Sequence, residues 1–207
     1  MIARQEYANA HRTRYEDWCG KILHSPLSNL AKMEWAILSA NTGFARSVAA
    51  FGATRTARTL DDYAEALHAV GLRGSYRRAA YVLNLRERLE AGEPGPEWDY
   101  KVYRRTHKLP GLSYCKLSFA INLIDPFGSN VICLDTHMLT VCLGHPPTRA
   151  ERDRVWCGLD RYEILEAQAI AEADEIGLAP FPYQWAVWDW HRGLTLGLPP
   201  ESHSHLW

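Results

Sequence analysis

No apolar run in this 207-residue chain approaches a membrane span, and the N-terminal stretch MIARQEYANAHRTRYEDW holds none long enough for a signal peptide. A cytoplasmic protein without a membrane partner is the expectation. Neither sign of charge is in excess: 23 Lys and Arg against 24 Asp and Glu leave a formal net charge of -1. That balance argues against bulk coating of nucleic acid and leaves room for a local basic face. Cysteine is sparse and irregular. Cys19, Cys115, Cys133, Cys142 and Cys157 form no CxxC pair and no metal-ligand spacing, so they read as reduced thiols and no metal site is expected. Strand-type alternation is missing too, which excludes a sheet-based core. What is present, 47% apolar and 23% charged residues, is the make-up of an ordinary globular protein able to bury a core without metals or disulfides. The length suits one domain over residues 1–207, or two small helical lobes sharing a cleft. Eight tryptophans and ten tyrosines read mainly as an aromatic-rich core.

Helical periodicity organises the chain. Trp35, Ile37, Leu38, Ala45, Val48 and Phe51 predict a buried helix over Glu34 to Phe51, with Gly43 its one breaker and Ser39, Asn41, Thr42 and Arg46 as a polar string. Thr59 is an N-cap, and Gly71 ends the helix that follows. Ser75 to Leu89 is next, stopped by the glycine- and proline-rich stretch 91–96. A short basic segment, Tyr100 to His107, leads through Leu109-Pro110-Gly111-Leu112-Ser113-Tyr114 into a helix reaching Ile124. Val131 to Leu134 is a buried extended piece; Asp135 and Thr136 then open a helix to about Leu143. Helices over Arg149 to Leu159, Tyr162 to Ile176 and Pro182 to His191 complete an all-α chain.

A proline-glycine turn between two helices aims backbone N–H groups outward at the second helix's N-terminus, where unpaired donors and the helix dipole attract a phosphate. Pro110, Gly111, Leu112, Ser113 and Tyr114 are therefore candidate DNA-backbone contacts.

The order Leu109-Pro-Gly-Leu-Ser-Tyr-Cys-Lys116, a helix, then Val131-Ile-Cys-Leu-Asp135-Thr-His137 resembles the helix-hairpin-helix region of the DNA glycosylase superfamily, where LPGxGxK precedes VDTH. Trp35-Ala-Ile-Leu-Ser-Ala-Asn41 is similar to the family's LLSAQ helix. Gly74-Ser-Tyr-Arg-Arg-Ala-Ala resembles its GxYxxKA segment, and Trp185 to Gly193 its late helix ending HG. The resemblance implies the all-helical glycosylase-like fold, with the hairpin at about 104–124 and the Asp-Thr-His segment at 131–143. It also implies double-stranded DNA as partner, a monomer, and a base flipped from the duplex into a pocket because it cannot be reached in the stack. Asp135 falls on the aspartate at the mouth of that pocket, and Lys116 near the lysine that faces it. The iron-sulfur cluster of many relatives is not expected, since no cysteine follows Cys157. A monovalent cation at the hairpin is.

Two departures mark this chain. Lys116 lies five positions after Gly111 where the family's lysine lies four, so Cys115 holds the aligned position, and Ser113 replaces the second hairpin glycine. A slip of one residue turns a side chain by about 100° around a helix. The pattern Gly111-Leu-x-x-x-Lys116-x-x-Phe119 with Cys133-Leu-Asp-Thr-His137 is similar to a bacteriophage branch of the superfamily associated with thymine hypermodification. That second resemblance implies an amino-acid:DNA transferase, joining the amine of a free amino acid to phosphorylated 5-hydroxymethyluracil in phage DNA, within the host cytoplasm.

Both resemblances imply Asp135 and Lys116 as the catalytic pair. In the transferase Asp135 would deprotonate the incoming ammonium, and Lys116 or Arg46 would neutralise the departing phosphate. In the alternative, a DNA N-glycosylase of base excision repair, Asp135 would stabilise positive charge on the sugar and Lys116 would attack the sugar carbon. A catalytically silent DNA-binding relative is the third reading. Asn41 is a candidate reader of the base edge, because an amide donates and accepts at once, or a packing residue. Arg46 is a candidate phosphate contact, or a partner for a carboxylate. His137 is expected to orient Asp135, the Trp185, Trp188, Trp190 and His191 group to be largely core, and His203 and His205 to lie in a tail.

Overall fold

The computed structural model describes residues 3–40, 42–96 and 99–197. Helices α1 (Arg4–Ala10) and α2 (Arg12–Leu23) open the chain. α3 (Asn29–Leu38), α4 (Phe44–Ala53), α5 (Leu60–Ala69), α6 (Ser75–Glu90), α7 (Tyr100–Thr106) and α8 (Tyr114–Ile124) follow. α9 (Thr136–Leu143), α10 (Arg149–Cys157), α11 (Leu159–Glu175) and α12 (Pro180–Leu196) end it. Among the described residues there is no strand, only one isolated bridge between Leu109 and Leu112. None of the described helices is long and apolar enough to cross a membrane.

The chain forms two compact units. The hairpin unit is Pro26–Ala120; the aspartate unit joins Met1–Ser25 to Ile121–Trp207. In the hairpin unit α3 packs on α4 and α6, and α5 on α4 and α6, burying Trp35, Met33, Ile37, Tyr63, Leu67 and Leu85. In the aspartate unit α12 packs on α1, α2, α9 and α11 around Tyr15, Trp18, Ile22, Tyr162, Phe181 and Trp185. Of the ten buried aromatic side chains among the described residues, six lie in this second unit and four in the hairpin unit.

Local chemistry sets the helix ends. Thr59 Oγ1 accepts from the Asp62 amide at 3.2 Å while Asp62 Oδ2 accepts from the Thr59 amide at 3.1 Å, a reciprocal cap of two otherwise orphaned donors. Gly71 ends α5 with φ +70°, and bonds from Gly71 N to His68 O (2.8 Å) and Leu72 N to Leu67 O (2.9 Å) close a Schellman motif.

One expectation is overturned. The single helix over Glu34 to Phe51 is two, α3 ending at Leu38 and α4 starting at Phe44. The hydroxyls of Ser39 and Thr42 bond back to the carbonyls of Ala36 and Ala40, and Gly43 takes an extended backbone (φ -61°, ψ 147°) as the cap of α4. Such side-chain bonds offer the backbone an alternative to helix, and here they win.

Candidate active site

The hairpin unit presents its turn between α7 and α8. Leu112 N donates to Leu109 O at 3.1 Å, with Pro110 second in the turn and Gly111 third at φ +75°, the residues and sign that a type II turn requires. A Cβ at Gly111 would come within 2.8 Å of Tyr81 on α6, so glycine is needed for space as well as for φ. Ser113 caps α8: its Oγ accepts from Lys116 N at 3.3 Å and its carbonyl from Leu117 N at 2.7 Å. Buried Arg104 ties the two helices together, donating to Ser118 Oγ at 2.5 Å with its guanidinium 4.3 Å from the Tyr114 ring centre. Of the five expected backbone contacts, Ser113 is exposed, Pro110 and Gly111 half-buried, and Tyr114 lies against Arg104. The Leu112 amide is spent inside the turn and its side chain is buried, which removes it from the candidates for phosphate binding.

Cys115, at the position aligned with the usual lysine, is buried. Lys116 is half-buried; its Nζ donates to Ser39 Oγ at 3.2 Å and lies 5.4 Å from the Phe119 ring centre. Arg46 is exposed on α4. Asn41 lies outside the described residues, as do His203 and His205. Tyr76, at the start of α6, is 59% exposed between the exposed Arg73 and Arg77, a large aromatic that the sequence reading did not single out.

The aspartate unit builds Asp135 from behind. Among the described residues the extended segment Val131–Leu134 has no partner strand, and side chains supply most of its hydrogen bonds. Ile132 N donates to Glu166 at 2.7 Å, Cys133 N to Gln184 at 2.7 Å, and Leu134 N to Tyr162 at 2.9 Å. Tyr162 in turn donates to Ile132 O at 2.7 Å and Trp156 Nε1 to Leu134 O at 2.9 Å. Buried backbone groups need such partners; α10, α11 and α12 supply five of them, and Cys133 O accepts from Asp135 N at 2.9 Å. Asp135 then caps α9, Oδ1 accepting from Met138 N at 2.9 Å and Oδ2 from Trp188 Nε1 at 3.1 Å. The Arg192 guanidinium lies 4.2 Å from the Trp188 ring centre.

His137 lies 3.2 Å from His191, Nδ1 to Nδ1, and meets the edge of Trp188, so its polar contact is with His191 where an orienting contact to Asp135 was expected. One of the two nitrogens must carry the proton. Burial, then the neighbouring His137, hold His191 below the ordinary imidazole range against an opposing pull from Asp135. No group of three or more His, Cys, Asp or Glu among the described residues could hold a metal ion.

Charge divides with the units. The hairpin unit carries 14 Lys and Arg against nine Asp and Glu, a net of +5; the aspartate unit carries nine against 15, a net of -6. The excess of positive charge therefore lies in the unit bearing the hairpin, Arg46, Arg73 and Arg77.

No family model matches the chain, and no curated protein matches it in sequence. Solved structures match it in fold. The 8-oxoguanine DNA glycosylase of Thermotoga maritima superposes with a TM-score of 0.69 over 96% of both chains, at 16% identity. The 8-oxoguanine glycosylase/lyase of Methanocaldococcus jannaschii, solved with a 15-mer DNA containing 8-oxoguanine, gives 0.67 over 92% of this chain and 93% of that one, also at 16% identity. A second structure of the M. jannaschii 8-oxoguanine DNA glycosylase gives 0.66 over 96% and 95%, at 17% identity. The all-helical fold of the 8-oxoguanine DNA glycosylases is thus the fold of this chain.

Proposed function

Starting from that fold, we propose that the chain is a base-excising DNA glycosylase that acts as a monomer on double-stranded DNA and flips its target base, with 8-oxoguanine the first substrate to test. The observation that carries the proposal is how the two reactive groups are held. Among the described residues, Lys116 and Asp135 make polar contacts with neutral groups, Ser39 for the one and Met138 N and Trp188 for the other, and neither forms an ion pair. Arg86, by contrast, is paired with Glu34 at 2.5 Å.

In this reading the hairpin and the exposed arginines take the DNA backbone, and Tyr76 stacks on an unpaired base. Asp135 stabilises positive charge on the sugar as the glycosidic bond breaks. The neutral amine of Lys116 bonds to the sugar carbon as the base leaves with the electron pair of the old bond and takes the proton the amine gives up; the nitrogen lone pair then expels the ring oxygen, which takes a proton as the sugar opens, leaving a protonated Schiff base. A monovalent cation at the hairpin belongs to the same proposal, though it would have to share carbonyls: Lys108 O already accepts from Arg88 and Leu109 O from Leu112.

The experiment is borohydride trapping on a duplex with one 8-oxoguanine, scored for released base and for a covalent enzyme-DNA adduct. Both should appear with the wild type, and the adduct should vanish with Lys116→Ala. An unbroken glycosidic bond would overturn the glycosylase.

One observation favours a second reading. The aligned lysine position holds buried Cys115 and the amine sits one residue later, as in the phage transferases, although no transferase stands among the matched structures. That enzyme would form a carbon-nitrogen bond at the exocyclic methylene as the carbon-oxygen bond to phosphate breaks, Asp135 taking the ammonium proton. DNA carrying phosphorylated 5-hydroxymethyluracil, with a free amino acid, would then yield a heavier base still joined to its sugar.

A further inference from the structure

The end of α3 is held by an arginine whose partners are all carbonyl oxygens. Arg78, on α6, donates to Leu38 O at 2.8 Å, Ala40 O at 2.5 Å and Arg73 O at 3.1 Å. The last carbonyls of a helix have no partner inside it and form the negative end of its dipole, so a guanidinium there satisfies both needs. This fixes the backbone on either side of Ser39. The Ser39 hydroxyl has one proton, and it is committed to Ala36 O at 2.8 Å. Toward Lys116 the same oxygen therefore accepts, and Nζ stands 3.2 Å away as the donor.

We propose that Ser39 is the positioning residue of Lys116, and that Arg78 acts through Ser39 by fixing the end of α3. A lysine side chain is a flexible four-carbon stem with a strongly hydrated head, and an attacking amine must reach its carbon in a narrow geometry. One hydroxyl of fixed direction, set on a backbone clamped by a guanidinium, restricts that search. The contact also fits the break in the helix expected over Glu34 to Phe51: a helix running unbroken to Phe51 would engage the Leu38 and Ala40 carbonyls that Arg78 holds.

The inference rests on the proposed function for what the amine does, and it is tested without DNA. The full chain is pulsed with an amine-acylating reagent, and the rate at Lys116 is followed by mass spectrometry relative to exposed Lys21. Ser39→Ala should speed acylation of Lys116 about tenfold, the size of one lost hydrogen bond. Ser39→Thr, which keeps the hydroxyl, should restore the wild-type rate, and Arg78→Met should shift the rate in the same direction as Ser39→Ala. Equal rates in the wild type and Ser39→Ala would overturn the proposal. So would Ser39→Thr behaving like Ser39→Ala, since packing rather than the hydroxyl would then be at work. An unchanged rate in Arg78→Met would overturn the part given to Arg78. On 8-oxoguanine duplex, Ser39→Ala should lower the single-turnover rate about tenfold and leave the Kd for DNA unchanged. A wild type that excises nothing would defeat the glycosylase while the acylation rates still decide the role of Ser39.

Discussion

The indole N–H of Trp188 donates to one oxygen of Asp135 at 3.1 Å while the Met138 amide donates to the other at 2.9 Å, so a single carboxylate both caps α9 and is fixed from α12. Its position is set by two elements at once, and changes to it should be felt in stability as well as in turnover.

Asp135→Asn should therefore abolish turnover and also lower stability. The amide can keep its oxygen on Met138 N, which turns its NH2 toward the Trp188 N–H, donor against donor. The loss should be on the order of 1 kcal/mol, and Asp135→Ala, which loses the cap outright, should cost about 1–2 kcal/mol. Urea midpoints of the two variants measure this. If Asp135→Asn kept most of its activity, the carboxylate would leave the mechanism.

Gly111→Ala should destabilise the hairpin unit by more than about 2 kcal/mol, the left-handed backbone contributing about 1–2 kcal/mol and the Tyr81 overlap the rest. Adding Tyr81→Gly, which removes the Tyr81 Cβ as well as the ring, should relieve the overlap while leaving the backbone strain. Denaturant midpoints of the single and double variants separate the two, and DNA affinity should fall in both.

DNA binding should weaken as salt rises, and Arg73→Ala or Arg77→Ala should each reduce the slope of log K against log salt by about 0.9. Arg149→Ala, in the acidic unit, should leave the slope unchanged. Tyr76→Ala should cost about 1–3 kcal/mol of binding to DNA with an unpaired base, with little change in slope. Titration of a fluorescent duplex at several salt concentrations reads all four variants, and a slope indifferent to Arg73 and Arg77 would remove the basic face from the interface.

The His137 and His191 pair predicts a pH dependence. Because the folded state holds His191 below the ordinary imidazole range, the unfolded chain takes up its proton first as pH falls. The contribution of His191 to stability is thus fully present above about pH 6.5, the unfolded value, and is lost on going below it. Urea midpoints from pH 7.5 to 5.5 should drop less steeply for His191→Asn than for the wild type.

Where end signals were local, the sequence located the helices closely. Thr59, Gly71, Ser113 and Asp135 each bound an element through bonds within a few residues, and each stands where such chemistry puts it. Extended backbone over Val131 to Leu134 was legible as well, because four apolar residues before a helix cap are too few for a helix of their own. The break after Leu38 was not. It depends on Arg78, 38 residues beyond Ala40, reaching back to carbonyls that periodicity counts as helical. The partner of Trp188 was hidden in the same way, since nothing in an aromatic run tells which indole will find a carboxylate 53 residues earlier. Helices α1 and α2 were not legible, their apolar positions being spread too thinly between charges to mark them.

The segment before Asp135 also carries a consequence for the order in which the protein matures. The amides of Ile132, Cys133 and Leu134 are satisfied by side chains 28 to 51 positions further along, on α11 and α12. Bonds across such spans form only after the chain between them has been gathered in, so they come late relative to the local caps. On a ribosome, the hairpin unit can emerge and fold around Trp35 and Tyr63 while Asp135 still lacks its supports. Asp135 is thereby set among the last parts of the fold, and a nascent chain stopped short of Gln184 would have an assembled hairpin while the segment leading into Asp135 lacked one of its anchors.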